Sequence, residues 1–280
     1  MSHEIEMKLA LGEMGTERLL QHPFLRGGVD GAQRLANTYY DTPGGELETA
    51  RVALRLRRRD DSWVQTLKTS GEGSGGYSRR REWEWPVADG SLDRAGLAEL
   101  PPMAALGTDV LAQLEPRFTT DFERRLWCLE LAEATIEVAL DQGEIRAAGR
   151  RVPICELELE LKDGDPQALW SLALAFAETV PLRPADASKA ARGSALLSGH
   201  WKLPEESGES EWLHRAILAL DALTDTGNDG WKAAAREALQ MLGEDGHDEA
   251  GRLVAMLDQD DWLSVDFGRT ALKLAHRLTP

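Results

Sequence analysis

The sequence has few cysteines and no long apolar run. Its two cysteines, Cys128 and Cys155, form no metal-ligand spacing, which excludes a cysteine-based metal site and favours a reducing, cytoplasmic setting. No apolar run approaches the ~20 residues that a membrane-spanning helix needs. The N-terminal residues are acidic and lack the basic-then-apolar pattern of a secretion signal. We therefore expect no secretion and no membrane partner.

Positive charge is also scarce, because 32 Lys and Arg face 48 Asp and Glu and give a net charge of −16. This balance argues against a general nucleic-acid partner. Basic residues are nevertheless dense between Arg51 and Arg81, where nine of the residues are Lys or Arg. An acidic chain with one dense basic segment predicts a local anion site.

The composition suits a globular protein with a core, with 42% hydrophobic and 29% charged residues. The pattern changes near Leu203-Pro204, where strand-like alternation gives way to helical spacing. Residues 204–280 hold 16 acidic against 7 basic residues. We therefore expect two domains, a strand-rich one over residues 1–203 and a small acidic helical one over 204–280.

Alternating polar and apolar residues predict strands in the first region, and apolar residues at helical spacing predict helices in both. The expected strands are 4–11, 52–59, 64–68, 78–87, 118–127, 135–141 and 155–162. Gln142-Gly143 reads as a turn that ends one of them. The expected helices are 16–20, 93–114 (interrupted by Pro101-Pro102), 166–179, 188–197, 211–223, 230–242, 248–257 and 262–278.

The polar faces of these strands are almost purely ionic. In the first strand Glu4, Glu6 and Lys8 share one face, since side chains alternate along a strand. In the last, Glu156, Glu158 and Glu160 share a face, although same-face neighbours lie only about 7 Å apart. One wet face of an ordinary sheet explains any single strand. Stacked like charges, however, are unfavourable unless a cation or basic groups offset them.

Carboxylate oxygens from several strands are the ligands that Mg²⁺ or Mn²⁺ requires, and guanidinium and ammonium groups are what phosphate oxygens require. A face that presents both suits a metal-bound polyphosphate. We therefore predict an α+β fold with a closed antiparallel β-barrel. Its charged faces point inward, its apolar faces point outward under flanking helices, and a small all-helical domain follows.

Seven segments, in order, resemble the CYTH proteins, also called triphosphate tunnel metalloenzymes. The segments beside the signature Glu4-Ile5-Glu6-Met7-Lys8 are Tyr39-Tyr40-Asp41-Thr42, Leu54-Arg55-Leu56-Arg57, Thr66-Leu67-Lys68, Arg80-Arg81-Glu82-Trp83-Glu84, Asp141-Gln142-Gly143-Glu144, Glu156-Leu157-Glu158-Leu159-Glu160 and Ser188-Lys189-Ala190-Ala191-Arg192-Gly193. The resemblance covers roughly residues 1 to 200. Glu-x-Glu-x-Lys alone would be a weak signal, but the ordered set is specific.

The resemblance implies roles for particular residues. The implied metal ligands, for Mg²⁺ or Mn²⁺, are Glu4, Glu6, Asp141, Glu156, Glu158 and Glu160. The implied substrate-binding residues are Lys8, Arg55, Arg57, Lys68, Arg80, Arg124, Lys189 and Arg192, the last two near a tunnel mouth. Lys8, Arg57 and Asp141 are the expected catalytic residues. Arg125 rivals Arg124, because their strand alternates poorly.

The resemblance implies hydrolysis of a small-molecule triphosphate, and we favour inorganic triphosphate, which would yield pyrophosphate and phosphate. A class IV-type adenylyl cyclase, a thiamine-triphosphatase or an RNA triphosphatase would carry similar motifs. A non-catalytic module that binds polyphosphate or a nucleotide is the alternative of another class. The helical tail lacks the basic stripe of a CHAD domain, and a homodimer through it is a further hypothesis.

Overall fold

The computed structural model describes residues 2–205 and 208–279. Its strands, β1 to β9 in chain order, are Ser2–Leu11, Gly31–Asp41, Val52–Arg59, Ser62–Thr69, Tyr77–Val87, Glu115–Glu130, Ala134–Ala147, Arg150–Gly164 and Leu182–Pro184. Its helices, α1 to α11, are Gly15–Leu20, Glu46–Thr49, Arg94–Ala98, Pro101–Leu106, Thr108–Gln113, Gln167–Ala177, Lys189–Ser198, Glu209–Thr226, Asp229–Glu244, Asp248–Leu257 and Val265–Leu278. A 3₁₀ helix spans Pro23–Leu25. None of the described helices has the length and apolar character needed to cross a membrane.

Eight of the strands close into an antiparallel barrel. They follow the order β5-β4-β3-β2-β6-β7-β8-β1, and β1 also pairs with β5, which joins the two ends. Strand β9 adds to the end of β1, where Leu9 lies opposite Pro184. Closure satisfies the backbone groups that an open sheet would leave unpaired at its edges. The predicted closed antiparallel barrel with flanking helices is confirmed.

Strand β2 was not predicted from the sequence. Its residues Leu35, Asn37 and Tyr39 are buried on one face, but they mix apolar and polar types. Each face of β2 mixes apolar and polar residues, so its hydropathy shows no period of two and does not reveal the strand.

The turn expected at Gln142-Gly143 is wrong, because β7 continues through both residues to Ala147. Gly143 lies opposite Phe122 of β6. A Cβ at position 143 would stand 2.2 Å from the Asp121 carbonyl oxygen. Gly143 therefore permits a close approach of two strands, which is a common use of glycine in sheets. From the sequence alone, such a glycine can be mistaken for a turn residue.

The helix expected over residues 93–114 is three short helices, α3 to α5. Pro101 begins α4, and Gly107 separates α4 from α5 with a φ of 89°. That backbone conformation suits glycine, so the chain turns there instead of continuing the helix. The three helices cover one outer side of the barrel, where Leu54 and Leu67 pack with Leu97.

The apolar faces of the other strands point outward into a larger core. Met7, Leu159 and Val138 are fully buried there under α6. Leu220 of α8 and Phe267 of α11 belong to the same core, so the C-terminal helices pack directly on the barrel. The barrel and the helices therefore share one apolar core, and the domain boundary at residue 203 stays a prediction.

A buried ion pair also joins the helices to the barrel. Arg183 of β9 is 1% exposed and donates to the Asp221 carboxylate of α8 at 2.6 Å. The other Asp221 oxygen accepts the backbone N–H groups of Asp186 and Ala187 at 3.0 and 2.8 Å. Asp221 thus fixes both the Arg183 guanidinium and the start of the segment that leads into α7.

Replacement of Asp221 by alanine is expected to destabilise the fold by about 3–5 kcal/mol, because it leaves a buried guanidinium without its charge partner. Calorimetry of the full chain should show a melting temperature lower by roughly 10 °C. Asp258→Ala, which removes the partner of Arg236 in an exposed pair, is the control and should cost less than about 1 kcal/mol. Equal losses in the two variants would contradict this reading of Asp221.

Candidate active site

The ionic faces of the strands point into the barrel. Glu4 of β1 contacts Lys68 of β4 and Arg80 of β5, and Arg124 of β6 contacts Glu158 of β8 across β7. On β1, Met7 and Leu9 alternate with the charged residues and are buried on the outer face of the barrel. A charged interior and an apolar exterior therefore replace the usual arrangement of a small barrel, as the alternation predicted.

One group of interior charges lies where β1, β4 and β5 meet. The Lys68 ammonium lies 2.7 Å from one Glu4 oxygen, and Arg80 donates to Glu4 at 2.9 Å and to Glu6 at 2.7 Å. Burial opposes ionisation of Glu4, yet Lys68 and Arg80 outweigh it and lower the pKa of Glu4 to about 2. Lys68 and Arg80 thus hold Glu4 as a carboxylate, and Arg80 joins Glu4 to Glu6.

A second group is built on the opposite side, from β7 and β8. Asp141, Glu156 and Glu158 offer carboxylate oxygens that all lie within 4.8 Å of one another. We call these three residues the carboxylate trio. Asp141 is fully buried, and the Arg124 guanidinium donates two hydrogen bonds of 2.7 Å to its carboxylate.

Helix α7 brings two cations to the trio. Its N-cap Ser188 accepts the Ala191 N–H, and Lys189 in the first turn contacts all three carboxylates, at 2.6 Å from Asp141 and 2.9 Å from Glu158. Burial opposes the charged form of Glu158, but Lys189 and Arg124 hold its pKa well below its usual range. The same carboxylates raise the pKa of Lys189 despite its burial.

Helix α7 also fills one end of the barrel. Ala190, Leu196 and Leu197 pack against a cluster of interior apolar residues that includes Phe118 and Ile154. Gly193 lies so close that a Cβ there would stand 2.1 Å from the Phe118 ring. Lys189 and Arg192 are both buried at this closed end, and their expected position near a tunnel mouth stays a prediction.

Two interior cations form no ion pair among residues 2–205 and 208–279, although Glu158 is near enough to Lys8 for Lys8 to help lower the pKa of that carboxyl. Lys8 is 5% exposed and donates to the Ala187 carbonyl at 2.9 Å. Arg57 donates to the Asn37 side-chain oxygen at 2.8 Å. Neither forms an ion pair within the described ranges. Removal from water, together with the nearby Arg55 and Arg124, lowers the pKa of Arg57 to about 9.

Arg55 is only weakly paired. Its guanidinium lies 4.0 Å from Glu82 and from Glu84, and its Nε is buried without a hydrogen-bond partner among residues 2–205 and 208–279. Arg55, Arg57 and Lys8 thus supply positive charge and free N–H groups to the barrel interior. A desolvated cation such as Arg57 is unfavourable unless an anion joins it.

Other predicted residues occupy less central positions. Glu160 lies at the outer end of its strand face, where its oxygen is 2.7 Å from Lys162, and it is outside the trio. Burial raises the pKa of Glu160. Arg125, the rival of Arg124, points to the outer face and pairs with Glu123. The geometry therefore favours Arg124 over Arg125 and leaves Glu160 as a peripheral candidate.

Several residues of the site were not assigned roles from the sequence. Asn37 bridges Arg57 and Thr120, and it lies on the unpredicted strand β2. Glu82 contacts Lys68 at 3.4 Å. Asp225 of α8 contacts Arg192 at 2.6 Å from outside the barrel. The alternation of β5 placed Glu82 on the inner face, but nothing in the sequence indicates which helix carries the partner of Arg192.

The carboxylate trio fits a hard divalent cation. Its donors are all carboxylate oxygens, the ligand type that Mg²⁺ and Mn²⁺ prefer. The Lys189 ammonium among the three shows that this part of the barrel attracts positive charge. Glu4 and Glu6 also present carboxylates, but Lys68 and Arg80 engage their oxygens.

Comparisons with known proteins agree with this architecture. A sequence model of the CYTH domain matches residues 2–194. An inorganic triphosphatase of Haemophilus influenzae is 37% identical over 212 residues, which cover 71% of this chain and 56% of that protein. The chain thus spans about half the length of this curated relative.

A solved structure extends the comparison to the fold. A candidate adenylyl cyclase from Hippeastrum, described as revealing a dominant triphosphatase activity, superposes with a TM-score of 0.53. It is 22% identical, and the match covers 69% of this chain and 96% of that one. At this identity the similarity concerns the fold. Together, the matched domain and the closed charged barrel show that this chain belongs to the CYTH domain family.

Proposed function

We propose that this protein hydrolyses inorganic triphosphate to pyrophosphate and phosphate inside its barrel, with Mg²⁺ or Mn²⁺ bound. The observation that carries the proposal is a pair of interior cations, Lys8 and Arg57, that form no ion pair in the part of the chain that the structure describes. A linear polyanion would supply their missing charge. The similarity to an inorganic triphosphatase of Haemophilus influenzae supports this choice of substrate.

The chain's own residues suggest how the substrate is held. Lys8, Arg55 and Arg57 would bind the phosphate oxygens, since they have N–H groups free to donate. Lys68, Arg80 and Arg124 would add charge from the flanks, although each now contacts a carboxylate. Fixed cations around a bound phosphate stabilise the charge of the transition state without reorganisation.

The carboxylate trio would hold the divalent metal once Lys189, which contacts all three carboxylates, turned to the substrate. The metal, when bound, neutralises phosphate charge and acidifies water. Asp141, buried and fixed by Arg124, would orient the attacking water towards a terminal phosphorus. Attack forms one P–O bond and breaks the bond to the bridging oxygen, so phosphate and pyrophosphate leave. Glu4 and Glu6 would bind metal only if Lys68 and Arg80 turned to the substrate.

The closed end of the barrel supports a linear, short substrate. Helix α7 and the apolar cluster around Phe118 fill that end. A substrate would therefore enter from the other end, where Glu4, Lys68 and Arg80 meet.

Cys128 and Cys155 are both free thiols, which supports the proposed cytoplasmic location.

The proposal is tested by phosphate release from inorganic triphosphate, ATP, thiamine triphosphate and long-chain polyphosphate. We expect kcat/KM for inorganic triphosphate to exceed the others at least about tenfold, because the cations of the barrel interior match a bare polyphosphate chain. EDTA should abolish release, and Mg²⁺ or Mn²⁺ should restore it.

Three other results would point elsewhere. Formation of cyclic AMP from ATP, with no phosphate released from triphosphate, would identify a cyclase. A preference for thiamine triphosphate would identify that substrate. Calorimetric binding of triphosphate with metal present but without turnover would identify a binding module. The homodimer hypothesis is tested separately by sedimentation of the full chain.

A further inference from the structure

Arg192 of α7 is shared between the barrel and the C-terminal helices. Its Nε and one terminal nitrogen donate to the two Asp225 oxygens of α8, at 3.0 and 2.6 Å. Its other terminal nitrogen lies 3.3 Å from Glu156 of the carboxylate trio. The side chains of Asp225 and Glu156 are each 4% exposed, so solvent screens neither contact well. Asp225 is thus the closer partner and Glu156 the more distant one.

The sharing of Arg192 between Asp225 and Glu156 sets how strongly Glu156 can attract a further cation. Glu156 already contacts the Lys189 ammonium inside the barrel. If Arg192 turned fully to Glu156, two cations would compensate one carboxylate, and its attraction for a third would fall. The paired grip of Asp225 on Arg192 opposes that movement, because a two-bond guanidinium–carboxylate contact is both strong and directional.

We propose that Asp225 is a positioning residue that limits the contact of Arg192 with Glu156 to a single bond of 3.3 Å and so leaves Glu156 better able to bind the divalent metal. The inference rests on the proposed function, since it takes Glu156 as a metal ligand. It gives the helical region after the matched domain a part in the reaction, although that region contributes no residue to the barrel interior among those described.

The test is a titration of the full chain with Mn²⁺ in the absence of substrate. Electron paramagnetic resonance measures the concentration of free Mn²⁺ at each step. Asp225→Asn keeps the shape of the side chain and removes its charge, which leaves Glu156 as the only ionised partner of Arg192 in the described ranges. The Kd for Mn²⁺ should rise about tenfold. Asp225→Glu, which retains the charge, should stay within about threefold of the wild type.

The double variant R192M/D225N separates positioning from a structural role. Without Arg192, Lys189 alone contacts Glu156, so the double variant should regain a Kd within about threefold of the wild type. Asp258→Asn, in the exposed pair with Arg236, is the matched control and should leave the Kd unchanged. If Asp225→Asn fails to fold, the double variant, which buries neither charge, carries the test.

Two results would overturn the inference. One is an unchanged Kd in folded Asp225→Asn, and the other is a double variant that binds Mn²⁺ about tenfold more weakly than the wild type. Failure of the proposed function has a different signature. In that case the wild type would release no phosphate from triphosphate, whatever the Mn²⁺ affinities of the variants.

Discussion

Asp141→Asn is expected to lower kcat for inorganic triphosphate about a thousandfold, equal to about 4 kcal/mol of transition-state stabilisation. Asp141 is fully buried within the carboxylate trio, so its charge acts with little screening. Asparagine has the same shape but one oxygen fewer and no charge, which removes a ligand for the metal and a guide for the attacking water. KM should change less than kcat, because Lys8, Arg55 and Arg57, which are proposed to bind the phosphate oxygens, form no ion pair or hydrogen bond with Asp141 among the described residues.

Single-turnover and steady-state phosphate release would measure this effect, with circular dichroism to verify the fold. Asp121→Asn is the matched control, since Asp121 accepts two hydrogen bonds from Arg34 on the outer face of the barrel, just as Asp141 does from Arg124 inside it. The control should stay within twofold of wild-type activity. If Asp141→Asn retained more than about a tenth of wild-type kcat, the proposed role of Asp141 would be wrong.

The facing of the site residues could be predicted from the sequence, because a strand alternates strictly. Glu4, Glu6 and Lys8 had to share a face, and the same parity placed Arg55 with Arg57 and Glu156 with Glu158. What alternation supplies is a direction for each side chain. The complementary charge of those faces was enough to indicate a closed barrel with a charged interior.

The partners of those residues could not be predicted, because contacts depend on strand register and order. Lys68 meets Glu4 only because β5, which joins β4 to β1, closes the barrel. Arg124 meets Asp141 because β6 and β7 pair in a register that places them opposite each other. Such long-range pairings leave no periodic signal in the sequence.

The position of α7 in the end of the barrel could not be predicted from the sequence either. Lys189 and Arg192 stand three residues apart, which fits one helix face in solvent or in a core equally well. Their burial follows from Gly193, whose missing side chain lets the helix lie against Phe118 inside the barrel. The role of Asp225 depends in turn on the packing of α8 beside α7, which only the folded chain reveals.

Arg57→Gln is expected to improve stability while it damages function. Folding lowers the pKa of Arg57 to about 9. At pH 7 Arg57 is charged in both states, and its charged form is less stable in the folded chain than in the unfolded chain. The charge therefore destabilises the fold at every pH below about 9, and the penalty is relieved as the pH rises above it. Glutamine keeps a donor for the Asn37 oxygen, so the variant should melt at a higher temperature, by about 2–4 °C for each kcal/mol recovered.

The same change should lower kcat/KM for triphosphate about hundredfold, because a charged hydrogen bond to phosphate in a dry site is lost. In the wild type KM should rise as the pH passes about 9, where Arg57 loses its proton, and in Arg57→Gln that rise should be absent. Arg58→Gln is the control, since Arg58 is exposed and donates to the Asp60 carbonyl; both its melting temperature and its kcat/KM should match the wild type. A lower melting temperature in Arg57→Gln would mean that Arg57 is satisfied without substrate, and the central argument for an anion in the barrel would fall with it.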